Sequence, residues 1–394
     1  MARDGRRVVV TGYGVVATAG IGKEAFWNGL LAPAPIGPRL VDQFEPEQYF
    51  DSPKDARRTD RFAQFALAAT AEALDDNEVT SDPTRRGVIL GTGVGGLHTL
   101  EEQVWTFHEK GPRRVSPFLV PMMMGNAGAA SVSMKYGWQG PCETIVTACA
   151  ASNHSIGYAY RLIRWGIVDV AISGGSEAAC TPVGMQGFQN MTALSSSGIS
   201  RPFDAERDGF VIAEGGAVLV LEELETARRR GARIYGEIMG AASNADAHHI
   251  TAPSPGGSGA IRCMEVALAD AGLTAADITY VNAHGTSTPL NDAAEAEAVS
   301  KVFGAGGPPV TSIKGVTGHS LAAAGALEVV SVLLSMEKGL IPPTANYATP
   351  DPEMNPIDIV AGAPREWAPG PTLSNNFGFG GHNGSLVIGP PPTD

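Results

Sequence analysis

The chain has 394 residues, 43% of them hydrophobic, so it can bury a large core and should form roughly two or three domain-sized units. Its formal charge of −13 argues against binding to nucleic acid or to an anionic membrane, because both attract basic surfaces. The four cysteines, Cys142, Cys149, Cys180 and Cys263, have no metal-finger spacing and are too few for a disulfide framework. These properties predict a globular, cytoplasmic protein with reduced thiols.

The two most apolar stretches are not expected to enter a membrane. The first, "RRVVVTGYGVV", is interrupted by Thr11, Gly12 and Gly14, so we interpret it as a β-strand and not as a signal peptide. The second, "SLAAAGALEVVSVLLSM", is shorter than the roughly 20 residues of a membrane span and contains Glu328.

In chain order, short β-branched runs alternate with longer alanine-rich stretches, which is typical of an α/β fold. The predicted strands of the first part lie in "RRVVVTGYGVV", "RRGVILGTGVGG", "ETIVTA" and "VDVAISGG". Those of the second part lie in "ARIYGEIMGAAS", "ITYVNA", "PPVTSIKG" and "TLSNNFGFGGHNGSLVIG". The stretches "FAQFALAATAEALDD" and "GAIRCMEVALADAGL" have the apolar spacing of helices.

A weak internal repeat divides the chain. "TIVTACAASNHSIGYAYRLIRWG" and "VTSIKGVTGHSLAAAGALEVVSVLLSMEKG" each predict a strand, a turn and a long helix. The second helix is apolar on nearly every face, so it should lie inside the protein. We therefore predict two related halves, residues 1–231 and 232–394, packed about two central helices.

Cys149 lies where a predicted strand gives way to a helix-forming segment of small residues. At a helix N-terminus, free backbone N–H groups and the helix dipole favour the thiolate. An inert buried thiol is the alternative, and the other three cysteines fit it. Lowering a thiol pKa from about 8.5 to about 7 needs about 2 kcal/mol, so we expect Cys149 to be a nucleophile with a lowered pKa.

Two histidines follow predicted strands in similar turns, His284 in "VNAHGTSTPLND" and His319 in "SIKGVTGHSLAAAGALE". A lone histidine is more often a packing or surface residue, but two in matching contexts favour a shared role. Neutral imidazoles can donate hydrogen bonds to a developing oxyanion. A zinc site with Cys149 is the alternative, and the lack of local ligand spacing argues against it.

The segments "VTACAAS", "NAHGTSTPLND", "KGVTGHSLAAAGALE" and "NNFGFGGHN" resemble, in this order, the motifs of elongating β-ketoacyl-acyl carrier protein synthases of the type I/II group. The resemblance covers almost the whole chain. It implies an α/β thiolase-like fold, with two similar halves in a five-layer α-β-α-β-α arrangement and the active site between them. It also implies a homodimer that catalyses decarboxylative Claisen condensation of an acyl thioester with malonyl-acyl carrier protein.

The resemblance also implies roles for single residues. Cys149 would carry the acyl group, the backbone amides of Cys149 and Phe379 would form an oxyanion hole, and His284 and His319 would stabilise the enolate. Phe379 would also gate the acyl pocket, although "NNFGFGGHN" alone would equally fit a tight hairpin. No redox or nucleotide cofactor is implied, because the carrier protein brings its own phosphopantetheine.

Two charged residues belong to the same implied site. Lys314 would support the histidines, whereas a solvated surface lysine is the alternative. Glu328 lies in an apolar helix, where an unpaired charge is costly, so it needs a partner. Lys314 or a structural monovalent cation would provide one.

The substrate contacts implied by the resemblance lie in two regions. Thr286, Thr288 and, less clearly, Thr251 would hold the phosphopantetheine arm. Val94 and Phe188 would line the acyl tunnel, although core packing explains both equally well. The acidic carrier protein would dock on a local basic patch, for which solvated surface arginines are the alternative: Arg57, Arg58, Arg61, Arg113 and Arg114.

Some residues depart from the commonest family pattern. Ala151 and Ser152 follow the nucleophile where many elongating synthases have Thr-Gly or Ser-Gly, and His382 replaces a frequent Thr. The pathway therefore stays open between fatty acid synthesis, polyketide synthesis and an inhibitor-resistant duplicate of the fatty acid enzyme. A noncatalytic chain-length-factor-like subunit and a simple acyltransferase are the functional rivals, and the three catalytic side chains argue against both.

Overall fold

The computed structural model describes residues 5–75, 77–304 and 306–393. Its strands are β1 (Val8–Ala17), β2 (Gly20–Ile21), β3 (Arg86–Gly91), β4 (Cys142–Ile145), β5 (Val170–Glu177), β6 (Gly215–Glu223), β7 (Gly236–Ala245), β8 (Tyr280–Asn282), β9 (Val310–Thr311), β10 (Leu340–Ile341), β11 (Arg365–Glu366), β12 (Thr372–Gly378) and β13 (His382–Gly389).

The α-helices alternate with these strands. They are α1 (Lys23–Leu30), α2 (Pro53–Ala56), α3 (Arg61–Leu74), α4 (Leu97–Lys110), α5 (Leu119–Met123), α6 (Ala127–Tyr136), α7 (Ala151–Arg164), α8 (Pro182–Asn190), α9 (Leu224–Arg229), α10 (Ser258–Ala271), α11 (Pro289–Phe303), α12 (Lys314–Thr317) and α13 (Ala324–Lys338). Within the described ranges, no helix is both long and apolar enough to cross a membrane.

The order of the strands reveals a duplication. The main sheet runs β4-β3-β5-β6-β1-β7-β13-β12-β8-β9. The first half contributes β4-β3-β5-β6-β1; numbered along the chain within that half, these strands are 3, 2, 4, 5 and 1. The second half contributes β9-β8-β12-β13-β7, read from the opposite edge towards the middle, and these strands are again 3, 2, 4, 5 and 1 of their half. The halves meet where β1 pairs antiparallel with β7, with Val8 opposite Ile238.

Two helices, α7 and α13, pack against strands of both halves of the main sheet. Helix α7 contacts β3 and β5 of the first half and β7 and β13 of the second, while α13 contacts β6 and β12. Every residue of α13 from Ala324 to Met336 is buried, as its apolar sequence predicted. It ends at Gly339, whose φ of +67° is the left-handed conformation that glycine adopts without a Cβ clash. On the outer faces, α3 packs on β1 and β6, and α10 on β7 and β13.

The predicted thiolase-like α/β fold is confirmed. The interior position of α13 and the related halves were both visible in the sequence. The strand prediction omitted β6, although its run "GGAVLVLEE" is apolar and fully buried between β5 and β1. The division of the chain between residues 231 and 232 stays a prediction.

Candidate active site

The backbone presents Cys149 at the start of α7. Strand β4 ends at Ile145, and a single 3₁₀ turn, Ala148–Ala150, leads into the helix. Ala148 has φ +49°, which is unusual for a residue with a Cβ and makes the turn sharp. Gly378 approaches this turn so closely that a Cβ there would lie 3.1 Å from the Cys149 nitrogen. The predicted position of Cys149 between a strand and a helix is therefore confirmed.

The structure brings Cys149 together with both predicted histidines. The Nε2 atom of His319 lies 3.1 Å from the Cys149 Sγ. The rings of His284 and His319 lie edge to face, with centroids 5.3 Å apart. All three side chains are buried, with one ligand-type atom from each within 4.8 Å of the others.

Hydrogen bonds fix the tautomer of His284. Its Nδ1 lies 3.3 Å from the Lys314 Nζ and 3.1 Å from the Asn376 Nδ2. Both partners are donors, so Nδ1 accepts and the proton resides on Nε2. Because a protonated Nε2 offers no lone pair to a metal ion, this arrangement favours hydrogen-bond donation over the zinc alternative.

Lys314 and Glu328 form a buried ion pair beneath the histidines. Both side chains are only 1% exposed, and the Lys314 Nζ contacts the Glu328 Oε1 directly. The same ammonium group donates to the backbone oxygen of His284 at 2.6 Å, and Asn376 donates to the Glu328 Oε2 at 2.9 Å. The predicted pairing of Glu328 with Lys314 is confirmed, and the surface-lysine alternative is wrong.

Burial sets the protonation states of the site. It lowers the pKa of His284 and of His319 well below 6.5, and the charge of Lys314 lowers both further. Both imidazoles are therefore neutral at neutral pH. Burial raises the pKa of Cys149 to about 12, against the opposing effects of Lys314 and of the Phe379 amide. The expectation of a lowered thiol pKa is wrong, because desolvation outweighs the helix N-terminus.

Two backbone amides face the sulfur. The N–H groups of Phe379 and of Cys149 itself lie near the Sγ, and each favours its negative charge. They are the amides that the sequence predicted for the oxyanion hole. Donors already aimed at the position of a developing negative charge stabilise it without reorganisation.

A cavity of about 540 Å³ opens onto these groups. All the predicted substrate contacts line it, namely Val94, Phe188, Thr251, Thr286 and Thr288. The hydroxyl groups of Thr286 and Thr288 lie 2.8 Å apart and share a hydrogen bond. The cavity is therefore mostly apolar near the thiol, with hydroxyl groups placed along one part of its wall.

Val94 controls space in this cavity, because it lines the wall and is 50% exposed. We predict that Val94→Phe shortens the acyl chains accepted by the enzyme, since the larger ring fills volume that a chain would occupy. Product chain lengths measured with a series of acyl donors test this effect, with Val183→Phe as the control at an exposed valine outside the cavity lining. An unchanged product profile would contradict the role of Val94.

The five predicted docking arginines do not behave alike. Arg57, Arg58, Arg113 and Arg114 are exposed. The Arg58 guanidinium lies 4.1 Å from the centre of the Phe118 ring, four residues after Arg114, so the two segments adjoin. The prediction that Arg61 belongs to the docking patch is wrong.

The Arg61 side chain turns inward and pairs with Glu214. Its Nη2 lies 2.6 Å from the Glu214 Oε1 and also donates to the Val41 backbone oxygen. A guanidinium group held in this way contributes to the fold and is not presented to a partner.

Sequence reasoning missed two side chains of the site. Asn376 bridges His284 and Glu328, and Glu177 accepts hydrogen bonds from a loop of the cavity wall. The sequence did contain a signal for Asn376, because two consecutive asparagines in an otherwise buried strand need hydrogen-bond partners there. Glu177 ends an apolar strand, which is an expensive place for a lone carboxylate.

The fold, with a buried Cys-His-His cluster at its centre, is that of an acyl-transferring enzyme. Family models agree: "Beta-ketoacyl synthase, N-terminal domain" matches residues 35–227, and "Beta-ketoacyl synthase, C-terminal domain" matches residues 235–348. The chain belongs to the β-ketoacyl synthase family, and it is an elongating, C–C bond-forming enzyme of fatty acid or polyketide synthesis.

Individual relatives support this assignment. The chain is 43% identical to the 3-oxoacyl-[acyl-carrier-protein] synthase 2 of Synechocystis sp. over 97% of this chain and 98% of the relative. It is 42% identical to the Vibrio cholerae protein of the same name, covering 97% and 99%. Among solved structures, the ishigamide ketosynthase/chain length factor aligns with a TM-score of 0.93 and 33% identity, covering 98% and 100%.

Proposed function

We propose that Cys149 is the nucleophile that carries the growing acyl chain. Its sulfur attacks the carbonyl carbon of an acyl thioester, while the thiol proton passes to the His319 Nε2 and then to the departing thiolate. The amides of Cys149 and Phe379 hold the oxyanion of the tetrahedral intermediate. The products are an acylated Cys149 and a free carrier thiol.

The second half of the reaction consumes a malonyl thioester. Its carboxylate leaves as carbon dioxide, and the electron pair of the broken C–C bond forms an enolate. The Nε2–H of His284 donates to the enolate oxygen, and His319 joins it after exchange with water has moved its one ring proton from Nδ1 to Nε2. The carbanion then attacks the acyl carbon, and the Cys149 sulfur leaves as a thiolate that takes up one proton from water. The product is a β-ketoacyl thioester two carbons longer.

The observation that carries this proposal is the fixed tautomer of His284 beside the Cys149–His319 contact. A noncatalytic subunit has no need of a buried thiol against a neutral imidazole. A simple acyltransferase has no need of a second imidazole with its proton directed away from a buried lysine. The arrangement therefore favours condensation over both rivals.

Intact-mass spectrometry tests the function directly. The enzyme is incubated with a panel of acyl carrier protein thioesters and then with the malonyl form, with Cys149→Ala as the control. We expect only the wild-type protein to gain an acyl mass, which malonyl then discharges as a longer β-keto product. Acylation without condensation would support the acyltransferase, and no acylation with a broad panel would support the noncatalytic subunit.

An acyl carrier protein is the proposed partner. A solved ketosynthase in complex with a type II acyl-carrier protein aligns with a TM-score of 0.89 and 33% identity, covering 98% of this chain and all of that one. On this chain we assign docking to the exposed residues Arg57, Arg58, Arg113 and Arg114, whose positive charge suits an acidic partner.

Charge reversal tests this docking patch. Changing Arg113 and Arg114 to Glu should raise the apparent KM for carrier-bound substrate several-fold at low salt and less at high salt, because rim charges act on encounter. The exposed Arg228 and Arg229 of α9 provide the matched control. A ratio of variant to wild-type KM that is the same at low and high salt would contradict the patch.

We propose a homodimer that extends the main sheet. Strand β4 ends that sheet and pairs, within the described residues, only with β3. Two large apolar side chains near this edge are exposed, Val146 at 57% and Met134 at 76%. An open edge beside apolar surface suits pairing with a second copy. Light scattering on the purified chain tests it, because a monomeric mass would contradict the dimer.

The monovalent cation near Glu328 is likewise a proposal. Lys314 already supplies the countercharge, but two neighbouring buried oxygens, the Asn282 Oδ1 and the Ser374 Oγ, have no hydrogen-bond donor in the described structure. Neutral oxygens of this kind suit a hard monovalent cation, which would stabilise the strand ends beneath the histidines. A higher melting temperature in potassium than in choline would support it, and equal values would contradict it.

We also propose a cytoplasmic location. The four cysteines of the chain are free thiols, and Cys149 must stay reduced to be acylated. Fractionation of the producing cells, followed by detection of the chain, tests the location.

A further inference from the structure

Glu177 is a buried carboxylate that the reaction described above does not use. It ends β5, is fully buried, and its Oε2 accepts a hydrogen bond from the Gly93 amide at 2.6 Å. Its Oε1 accepts from the Thr92 hydroxyl at 3.2 Å and from the Val94 amide at 3.4 Å. The amide of Ala322 also faces the carboxylate and favours its negative charge. In the part of the chain that the structure describes, no lysine or arginine forms an ion pair with Glu177.

The four donors come from two walls of the catalytic centre. Gly93 and Val94 line the cavity on the acyl side. Ala322 lies in the turn that directly follows His319. One carboxylate therefore ties the loop that shapes the acyl pocket to the turn that positions the imidazole beside the Cys149 sulfur.

A second contact joins the nucleophile helix to the same point. The Ser152 hydroxyl, three residues after Cys149, donates to the Ala322 backbone oxygen. Gly175 makes room for this hydroxyl, since a Cβ there would lie 2.4 Å from the Ser152 Oγ. The Ala322 peptide is thus held on one side by Glu177 and on the other by the helix that carries the nucleophile.

We propose that Glu177 is a specificity-determining positioning residue: it holds the Thr92–Val94 loop at a fixed distance from Cys149 and His319, and so sets the acyl chain length that the site accepts. The proposal rests on the proposed function. In this proposal Glu177 touches neither substrate nor thiol. It acts through Val94 on the acyl pocket and through Ala322 on the turn that follows His319.

Only a carboxylate can accept all of these hydrogen bonds. Burial raises the pKa of Glu177 to about 7 against the opposing effect of its donors, so above about pH 8 the group is ionised, only accepts hydrogen bonds and has room for four donors on two oxygens. A carboxamide of the same shape turns an N–H group toward at least one of these donors. Glu177→Gln should therefore push either the Thr92–Val94 loop or the Ala322 turn away, while the rest of the buried packing is kept.

The test compares two neutralised carboxylates. Glu177→Gln is measured beside Glu222→Gln, a matched variant at a buried glutamate of β6 that pairs with Arg230. For each, the kcat/KM of Cys149 acylation is determined with a dodecanoyl and with a butyryl carrier thioester. We expect the ratio of the two values to change about tenfold in Glu177→Gln, as for a misplaced reactant, and to stay at the wild-type value in Glu222→Gln.

Three results would overturn the proposal: an unchanged ratio in Glu177→Gln, a change that lies in kcat alone and equally for both chains, or the same change in Glu222→Gln. If Glu177→Gln does not fold, Thr92→Val removes one of the donors to Glu177, together with the acceptor of the Gly95 amide. It should shift the ratio in the same direction, and an unchanged ratio there overturns the proposal too. Condensation by the wild type is scored separately, so a wild type that never condenses refutes the function and not the positioning role.

Discussion

Replacing His284 by alanine is expected to lower the decarboxylation of malonyl-acyl carrier protein about 10²–10³-fold, while Cys149 is still acylated. The reason is that the two histidines make different contacts. His319 touches the Sγ at 3.1 Å, whereas His284 is held through its Nδ1 by Lys314 and Asn376, which places its ring proton on Nε2. Loss of that donor removes stabilisation of the enolate and leaves the thiol with its imidazole.

Release of carbon dioxide and acyl mass, measured on the same preparation, separate the two half-reactions. His154→Ala is the matched control, because His154 lies on α7 near the site but bonds Thr147 and the Asn383 backbone oxygen and does not line the cavity. It should retain decarboxylation. If His284→Ala loses acylation and decarboxylation to the same extent, the separate roles of the two histidines are wrong.

The sequence predicted the three side chains that meet at the site because each follows a strand in a run of small residues, and such runs are local features. It also predicted the interior helix α13, since a helix without a polar face has no surface to offer solvent. What it could not give is the pKa of Cys149. The helix N-terminus is local, but the desolvation that outweighs it comes from residues such as Leu321, which packs against the thiol from far along the chain.

Long-range pairing explains the other differences. Arg61 looked available for docking, but Glu214, 153 residues away, holds its guanidinium. Glu177 meets Ala322 from the other half of the chain, so no spacing in the sequence could link them. By contrast, the pairing of Lys314 with Glu328 was predictable, since a charged residue in an apolar helix must find a partner.

Replacing Lys314 by methionine is expected to destabilise the protein by about 3–5 kcal/mol, because it leaves the Glu328 carboxylate buried without its countercharge. Asn376 would remain as its donor, at 2.9 Å. Urea unfolding measures the change. Arg365→Met is the control: it removes the exposed pair with Asp358, whose side chains are 39% and 46% exposed, and should cost less than about 1 kcal/mol.

The effect of Lys314→Met should also depend on pH with a definite sign. Burial already raises the pKa of Glu328 to about 7, while Lys314 opposes that rise, so the pKa climbs further without the lysine. A carboxyl whose pKa is raised by folding takes up a proton that the unfolded chain releases, so stability falls as pH rises, by up to about 1.4 kcal/mol per pH unit.

Adding Glu328→Gln to the Lys314→Met variant removes the charge and the titrating group together. Most of the lost stability should then return, and the part of the pH dependence that Glu328 contributes should disappear, because a neutral amide beside a thioether leaves no isolated charge at this place in the interior. A double variant as unstable as Lys314→Met alone would mean that Lys314 stabilises the fold through its bond to the His284 backbone oxygen and not through Glu328.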